Sequence, residues 1–249
     1  MKKKNISVIL FILFMVVCYA NFYSIGYKQK NPIDEIEATA EVFDYDRIII
    51  SDTEDMGQEY IDKIYFVGDS TTYHLHKGGI DKSHIFIPES LTLKLDSNID
   101  KISVGKEKHT IAHSVSESKA PILIITLGVN GADKFSEQQF KAYYKKLIDS
   151  IMIASPNTQI IIQSVFPVAK WYSNLDMGIT NKGIDRINEW AKQLAYEKGL
   201  NYLDTQTILK NGSGAMIDEY DAGDGVHMNA SAYKEIVNYI RTHGIQMEE

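Results

Sequence analysis

Three short blocks, far apart in the chain, carry residue types that could together perform acyl transfer: Gly68-Asp69-Ser70, Gly128-Val129-Asn130 and Asp224-Gly225-Val226-His227. A serine hydroxyl is a weak nucleophile at neutral pH, so it needs a neighbouring base to take its proton. His227 is the candidate base. Asp224, three residues earlier on the same expected loop, could accept the other imidazole N–H and fix the tautomer. Asn130 could donate its side-chain amide to the oxygen that becomes negative in a tetrahedral intermediate, and backbone N–H groups at Ser70 could add further donors. Each block alone is common in ordinary turns and caps. Their joint occurrence, each beside an expected strand end or helix start, points to one site.

Something must bring these blocks together. From Tyr60 onward short apolar runs alternate with helical stretches, the pattern of a parallel sheet covered on both faces. The runs are 64–67, 84–87, 122–127, 160–165 and 201–203, which predicts about five strands. Phe140, Tyr144, Leu147 and Ile151 recur at helical spacing behind a Ser136/Gln139 capping box. A second helix is expected over 182–197, with Ile184, Ile187, Ala191 and Leu194 inward and Gly199 as its C-cap. A third follows Asn229 and buries Tyr233, Ile236, Val237 and Ile240. In such a sheet Ser70 falls at the carboxyl edge of the first strand, where ligand sites of open α/β sheets gather.

Taken with their order, the three blocks resemble those of the SGNH (GDSL-like) hydrolases, a family named for blocks contributing Ser, Gly, Asn and His. The resemblance covers about Ile64 to Gly244. It implies a three-layer α/β/α sandwich with a flavodoxin-like sheet, a serine esterase or acyl-transfer mechanism, and no metal or organic cofactor. Carried onto this sequence, it makes Ser70, Asp224 and His227 catalytic, with Ser70 and Asn130 in the oxyanion hole. The chain departs from the family at its second block, an Asn-x-Gly-x-x-Gly-like loop. Nothing like it stands between His84 and Pro121, where Gly105 is the only glycine. Either Gly105 or a backbone N–H near Ser90 is expected to supply that donor.

Composition narrows the partners. The chain has 249 residues, 44% of them hydrophobic, with a formal charge of −7. Without Lys2, Lys3 and Lys4 the balance is 23 basic to 33 acidic residues, which argues against nucleic acid as a ligand. Those lysines precede an apolar stretch from Ile6 to Ile25, about the length needed to cross a bilayer. Residues 1–27 are therefore expected to be a signal anchor of a membrane-anchored, bacterial-type member. The expected placement is a single-pass protein with an extracytoplasmic catalytic domain, secreted if the segment is cleaved. Residues 28–59 are acidic and read as a stalk in which only Arg47-Ile48-Ile49-Ile50 could dock as a strand, and 60–249 form the hydrolase domain. Cys18 is the only cysteine, so no disulfide staples the domain.

Other residues read less sharply. Trp171 and Tyr172 follow the fourth run, and on that edge of the sheet they could line an acyl or sugar pocket; His74 could line the site near Ser70. His109 and His113 have i, i+4 spacing, but Thr110 stands where a zinc-protease motif places its glutamate, so they read as a surface pair. Asp218, Asp221 and Asp224 are spaced by three, whereas a calcium loop alternates its ligands by two. They read as a loop positioning Asp224 and His227. The function expected is removal of a small acyl group, acetyl above all, from carbohydrate. The alternatives are a lipid or lysophospholipid esterase, an acyltransferase with the same residues, and a silent domain that binds glycan or a partner.

Overall fold

In this computed structural model the described residues are 43–88, 101–104, 107–175 and 178–246. The compact unit begins at Asp44. Its first strand, β1, is Ile64–Gly68; β2 is Ile85–Phe86; β3, Lys101–Val104, and β4, Glu107–Thr110, form an antiparallel hairpin; β5 is Ile122–Thr126, β6 Gln159–Gln163 and β7 Asn201–Leu203. Five of these make one parallel sheet in the order β2-β1-β5-β6-β7, as the apolar runs predict. The separate β3/β4 hairpin has no counterpart among those runs.

The helices are α1 (Gly57–Ile61), α2 (Ser70–Tyr73), α3 (Ile111–Ser118), α4 (Glu137–Ala154), α5 (Lys170–Ser173), α6 (Asn181–Lys198) and α7 (Ala230–Arg241). Alternation along β5 shows why its sequence is continuously apolar. Leu123 and Ile125 face one core with Phe140, Tyr144 and Leu147 of α4 and Ile184 and Ile187 of α6. Ile122 and Ile124 face the other, with Tyr233, Ile236 and Ile240 of α7. Both faces are covered, giving the three-layer sandwich. The Ser136/Gln139 capping box forms in full at the start of α4. Gly199, at φ 64°, ends α6 in the left-handed conformation that favours glycine.

Two apolar runs stop short as strands for identifiable reasons. The fourth ends at Gln163 because the ladder to β7 runs out there: Ser164 N still donates to Leu203 O, the last residue of β7, but Val165 N turns to the Asn188 side chain of α6. In the second, His84 turns its ring to the Ile64 carbonyl and stacks on Tyr65 at 4.1 Å. The docking strand allowed for at Arg47–Ile50 meets the sheet through a parallel bridge from Ile49 to Tyr202, and Ile48 and Ile50 are buried on opposite faces.

The expected membrane anchor requires correction. Among the described residues no helix is long and apolar enough to cross a membrane. The two longest, α4 and α6, have 18 residues each and are amphipathic, with one side in the core. The stretch from Ile6 to Ile25 lies outside the described residues. The single-pass, extracytoplasmic placement is therefore withdrawn.

Candidate active site

β1 and β5 are neighbours in register, Gly68 opposite Thr126, so the turns carrying Ser70 and Asn130 leave the same edge of the sheet side by side. After Gly68 the chain bends at once into α2. A Cβ built on Gly68 would lie 1.9 Å from Thr72 Oγ1 and 2.6 Å from the Thr126 carbonyl, so only glycine lets α2 fold back so closely. Asp69 caps the helix. Its Oδ1 accepts from the backbone N–H of Thr71 at 3.0 Å and from the Thr71 hydroxyl at 2.7 Å. Its carboxyl is buried, and that burial pushes its pKa up despite the Thr71 hydrogen bonds. The cap thus accounts for Asp69, and Ser70 is left as the first helical residue.

Gly68→Ala should therefore lower stability by about 1–3 kcal/mol, the usual cost of forcing an extra methyl into a packed site. Urea denaturation checks this, and a midpoint equal to wild type would contradict it. The second turn uses glycine differently. Gly128 has φ 136°, and a Cβ there would come within 2.9 Å of Ile187 and 3.2 Å of Phe140. This turn continues into the 3-10 segment Val129–Gly131 and leaves Asn130 half-buried.

The third block lies on a loop closed by a bridge between Asp221 and Met228. Asp221 Oδ1 accepts from the N–H groups of Gly223 at 2.8 Å and Gly225 at 2.9 Å, both at positive φ. Asp224 Oδ1 accepts from Val226 N at 2.9 Å and His227 N at 2.7 Å, leaving Oδ2 free to meet His227 Nδ1 at 2.7 Å. His227 Nε2 lies 2.9 Å from Ser70 Oγ. A hydroxyl, an imidazole and a carboxylate thus form one line along which a proton can leave the serine. Partial burial acts to raise the Asp224 pKa, but the His227 backbone N–H, the imidazole and the Val226 N–H outweigh it and hold the carboxyl below its usual range.

His74, expected beside the site, packs against it: its ring meets that of His227 edge-on at 5.0 Å. Its Nδ1 is buried without a hydrogen-bond partner. Burial first, then the charges of Lys77, His227 and His76, push its pKa down to about 4, so it is neutral at physiological pH. Below the ordinary histidine value near 6.5 the unfolded chain binds a proton that folded His74 refuses. Stability should fall as pH drops from about 6.5 toward 4, and His74→Phe should make that decline shallower. Melting temperatures at pH 7 and pH 5 test this, and equal declines would contradict it.

Trp171 and Tyr172 reach the site through the loop. A Cβ on Gly225 would fall 2.6 Å from both Trp171 Cζ2 and Tyr172 Cβ, and Ala169 N donates to the Gly225 carbonyl. Trp171 is 50% exposed, whereas Tyr172 packs half-buried against the core. Gly105, expected as an oxyanion donor, and Ser90 lie outside the described residues. His109 and His113, on β4 and α3, stack on each other at 4.7 Å. Within the acidic loop, expected only to position Asp224 and His227, Asp221 is the clamp. The signal lay in Asp221-Ala222-Gly223-Asp224-Gly225, an aspartate followed by glycines whose N–H groups it can gather.

A parallel α/β/α sandwich with serine, histidine and aspartate in hydrogen-bonded line at the carboxyl edge has the architecture of an acyl-transfer enzyme. The chain belongs to the GDSL-like Lipase/Acylhydrolase family, whose model matches residues 66–235. Solved structures share the fold at low identity. A candidate SGNH hydrolase from Slackia heliotrinireducens is 16% identical, with 73% of this chain and 98% of that one covered and a TM-score of 0.53. A candidate platelet activating factor from Streptococcus pneumonia is 16% identical, with 72% and 82% covered and a TM-score of 0.52. No curated protein matches the chain.

Proposed function

We propose that the chain is a serine esterase that removes a small acyl group, acetyl in the first place, from a carbohydrate. The observation that carries this reading is the unbroken line from Ser70 Oγ to His227 Nε2 and from His227 Nδ1 to Asp224 Oδ2. Ser70 Oγ attacks the ester carbonyl while its proton passes to His227 Nε2. Asp224 holds the imidazole in the tautomer that leaves Nε2 free and stabilises the imidazolium that forms. The oxyanion is met by the Asn130 amide and the Ser70 backbone N–H. As the tetrahedral intermediate collapses, His227 returns the proton to the departing sugar oxygen, and the acyl group stays on Ser70. Water then attacks the acyl carbonyl, giving one proton to His227, which passes it to the Ser70 oxygen as the second intermediate collapses; the acid released ionises to solvent and free serine is restored.

Carbohydrate is supported over lipid by the cleft beside the loop, where the apolar surface of Trp171 stands among charged and amide groups, the mixture a sugar ring needs. The cleft there, about 360 Å³, is lined by Ala169, Lys170, Trp171, Asn174, Asp218 and Asp221. A fatty acyl chain laid against these groups would strip water from charges without replacing it. Aryl esters of increasing chain length, assayed beside acetylated oligosaccharides, test the reading. Acetyl esters should exceed octanoyl esters in kcat/KM by about 10-fold or more, on the usual scale of hydrophobic-pocket discrimination. A preference for the long chain, or no hydrolysis of any ester, would overturn it.

A further inference from the structure

The cleft beside the His227 loop is built around a held indole. Trp171 Nε1 donates to Asp221 Oδ2 at 3.0 Å, while Asp221 Oδ1 gathers the N–H groups of Gly223 and Gly225. The ring is thus fixed at its nitrogen and braced along its edge by Gly225, two residues before His227. Half of its surface remains exposed. Around it stand an ammonium on Lys170, an amide on Asn174 and carboxylates on Asp218 and Asp221.

We infer that this cleft is a sugar-binding subsite, with Trp171 as the platform for one pyranose ring of a neutral glycan. The C–H face of a pyranose matches an exposed indole, and its ring of hydroxyls needs both donors and acceptors at the rim. Lys170 and Asn174 donate; Asp218, Asp221 and the Asn174 carbonyl accept. Asp218 and Asp221, with exposed Glu219 between them in sequence, outnumber Lys170 and disfavour a polyanionic glycan. Because one aspartate holds both the indole and the loop of Asp224 and His227, a glycan seated on Trp171 is registered against the Ser70 line. That link to catalysis rests on the serine-esterase reading; binding itself does not.

The test uses the full chain carrying Ser70→Ala, titrated with chitotetraose and followed by tryptophan fluorescence. The other tryptophan, Trp190, lies under Arg186 on α6 and serves as an internal constant. A saturable change with a Kd near 1 mM or tighter is expected. Binding followed by isothermal titration calorimetry should be lost in Ser70→Ala/Trp171→Ala, which lacks the reporting indole. It should weaken about 10-fold in Ser70→Ala/Asp218→Ala, which leaves the Trp171–Asp221 brace intact, as losing a hydrogen bond to a charged group implies. Tetragalacturonate should not bind. No saturable change with chitotetraose, equal affinity in the Asp218→Ala background, or tighter binding of tetragalacturonate would each overturn the inference. Since Ser70 is absent from every arm, failure of the hydrolysis reading leaves these outcomes unchanged.

Discussion

Ser70→Ala is expected to lower kcat for 4-nitrophenyl acetate by about 10⁴-fold or more, with residual turnover carried by binding and the oxyanion donors. The substitution removes one oxygen, the atom proposed to form the covalent bond, and nothing in the local fold depends on that oxygen. α2 is capped by Asp69 through Thr71, and its return path over the sheet is set by Gly68. The melting temperature should therefore stay close to wild type, which separates a chemical loss from an unfolded one. A variant with normal stability and more than about a tenth of wild-type kcat would be incompatible with Ser70 as nucleophile.

Asp224→Asn should cost on the order of 10³- to 10⁴-fold in kcat, and the reason is readable in the loop. Oδ1 of Asp224 receives two backbone N–H groups, from Val226 and His227. An asparagine must keep its carbonyl oxygen there, because an amide N–H₂ would face two donors. Its N–H₂ then points at His227 Nδ1, which must accept, and the ring proton is forced onto Nε2 toward the serine. In that tautomer His227 has no lone pair for the Ser70 proton. Asp224→Ala, which leaves the tautomer unconstrained, should retain more activity than Asp224→Asn. The reverse order in steady-state kinetics would refute this account of the loop.

Much of the architecture was legible because both periodicities were strong. β5 opens with four apolar residues in a row, Ile122 to Ile125, since both faces are buried, and α4 and α6 show their inward stripes and caps within single windows. Ser70, Asp224 and His227 were legible as types in a fixed order at strand and helix ends. Their reasons for being held were not. The need for glycine at 68 comes from the Thr126 carbonyl on another strand, and the brace on Gly225 comes from Trp171. The docking of 44–61 depends on partners far along the chain, such as Tyr45 with Glu189 and Asp55 with Arg241. Such contacts leave no local pattern. The anchor expectation erred in the opposite way, by letting a local apolar stretch settle a location that no described helix supports.

The central claim is that Ser70 becomes covalently acylated. Treating the protein with a fluorophosphonate and mapping the modified peptide by mass spectrometry tests it most directly, because a serine reacts this way only when a neighbouring base activates it. A single adduct on Ser70, absent from Ser70→Ala and strongly slowed in His227→Ala, is the predicted result. An unmodified Ser70 in folded wild-type protein, or an equal adduct in Ser70→Ala, would contradict it.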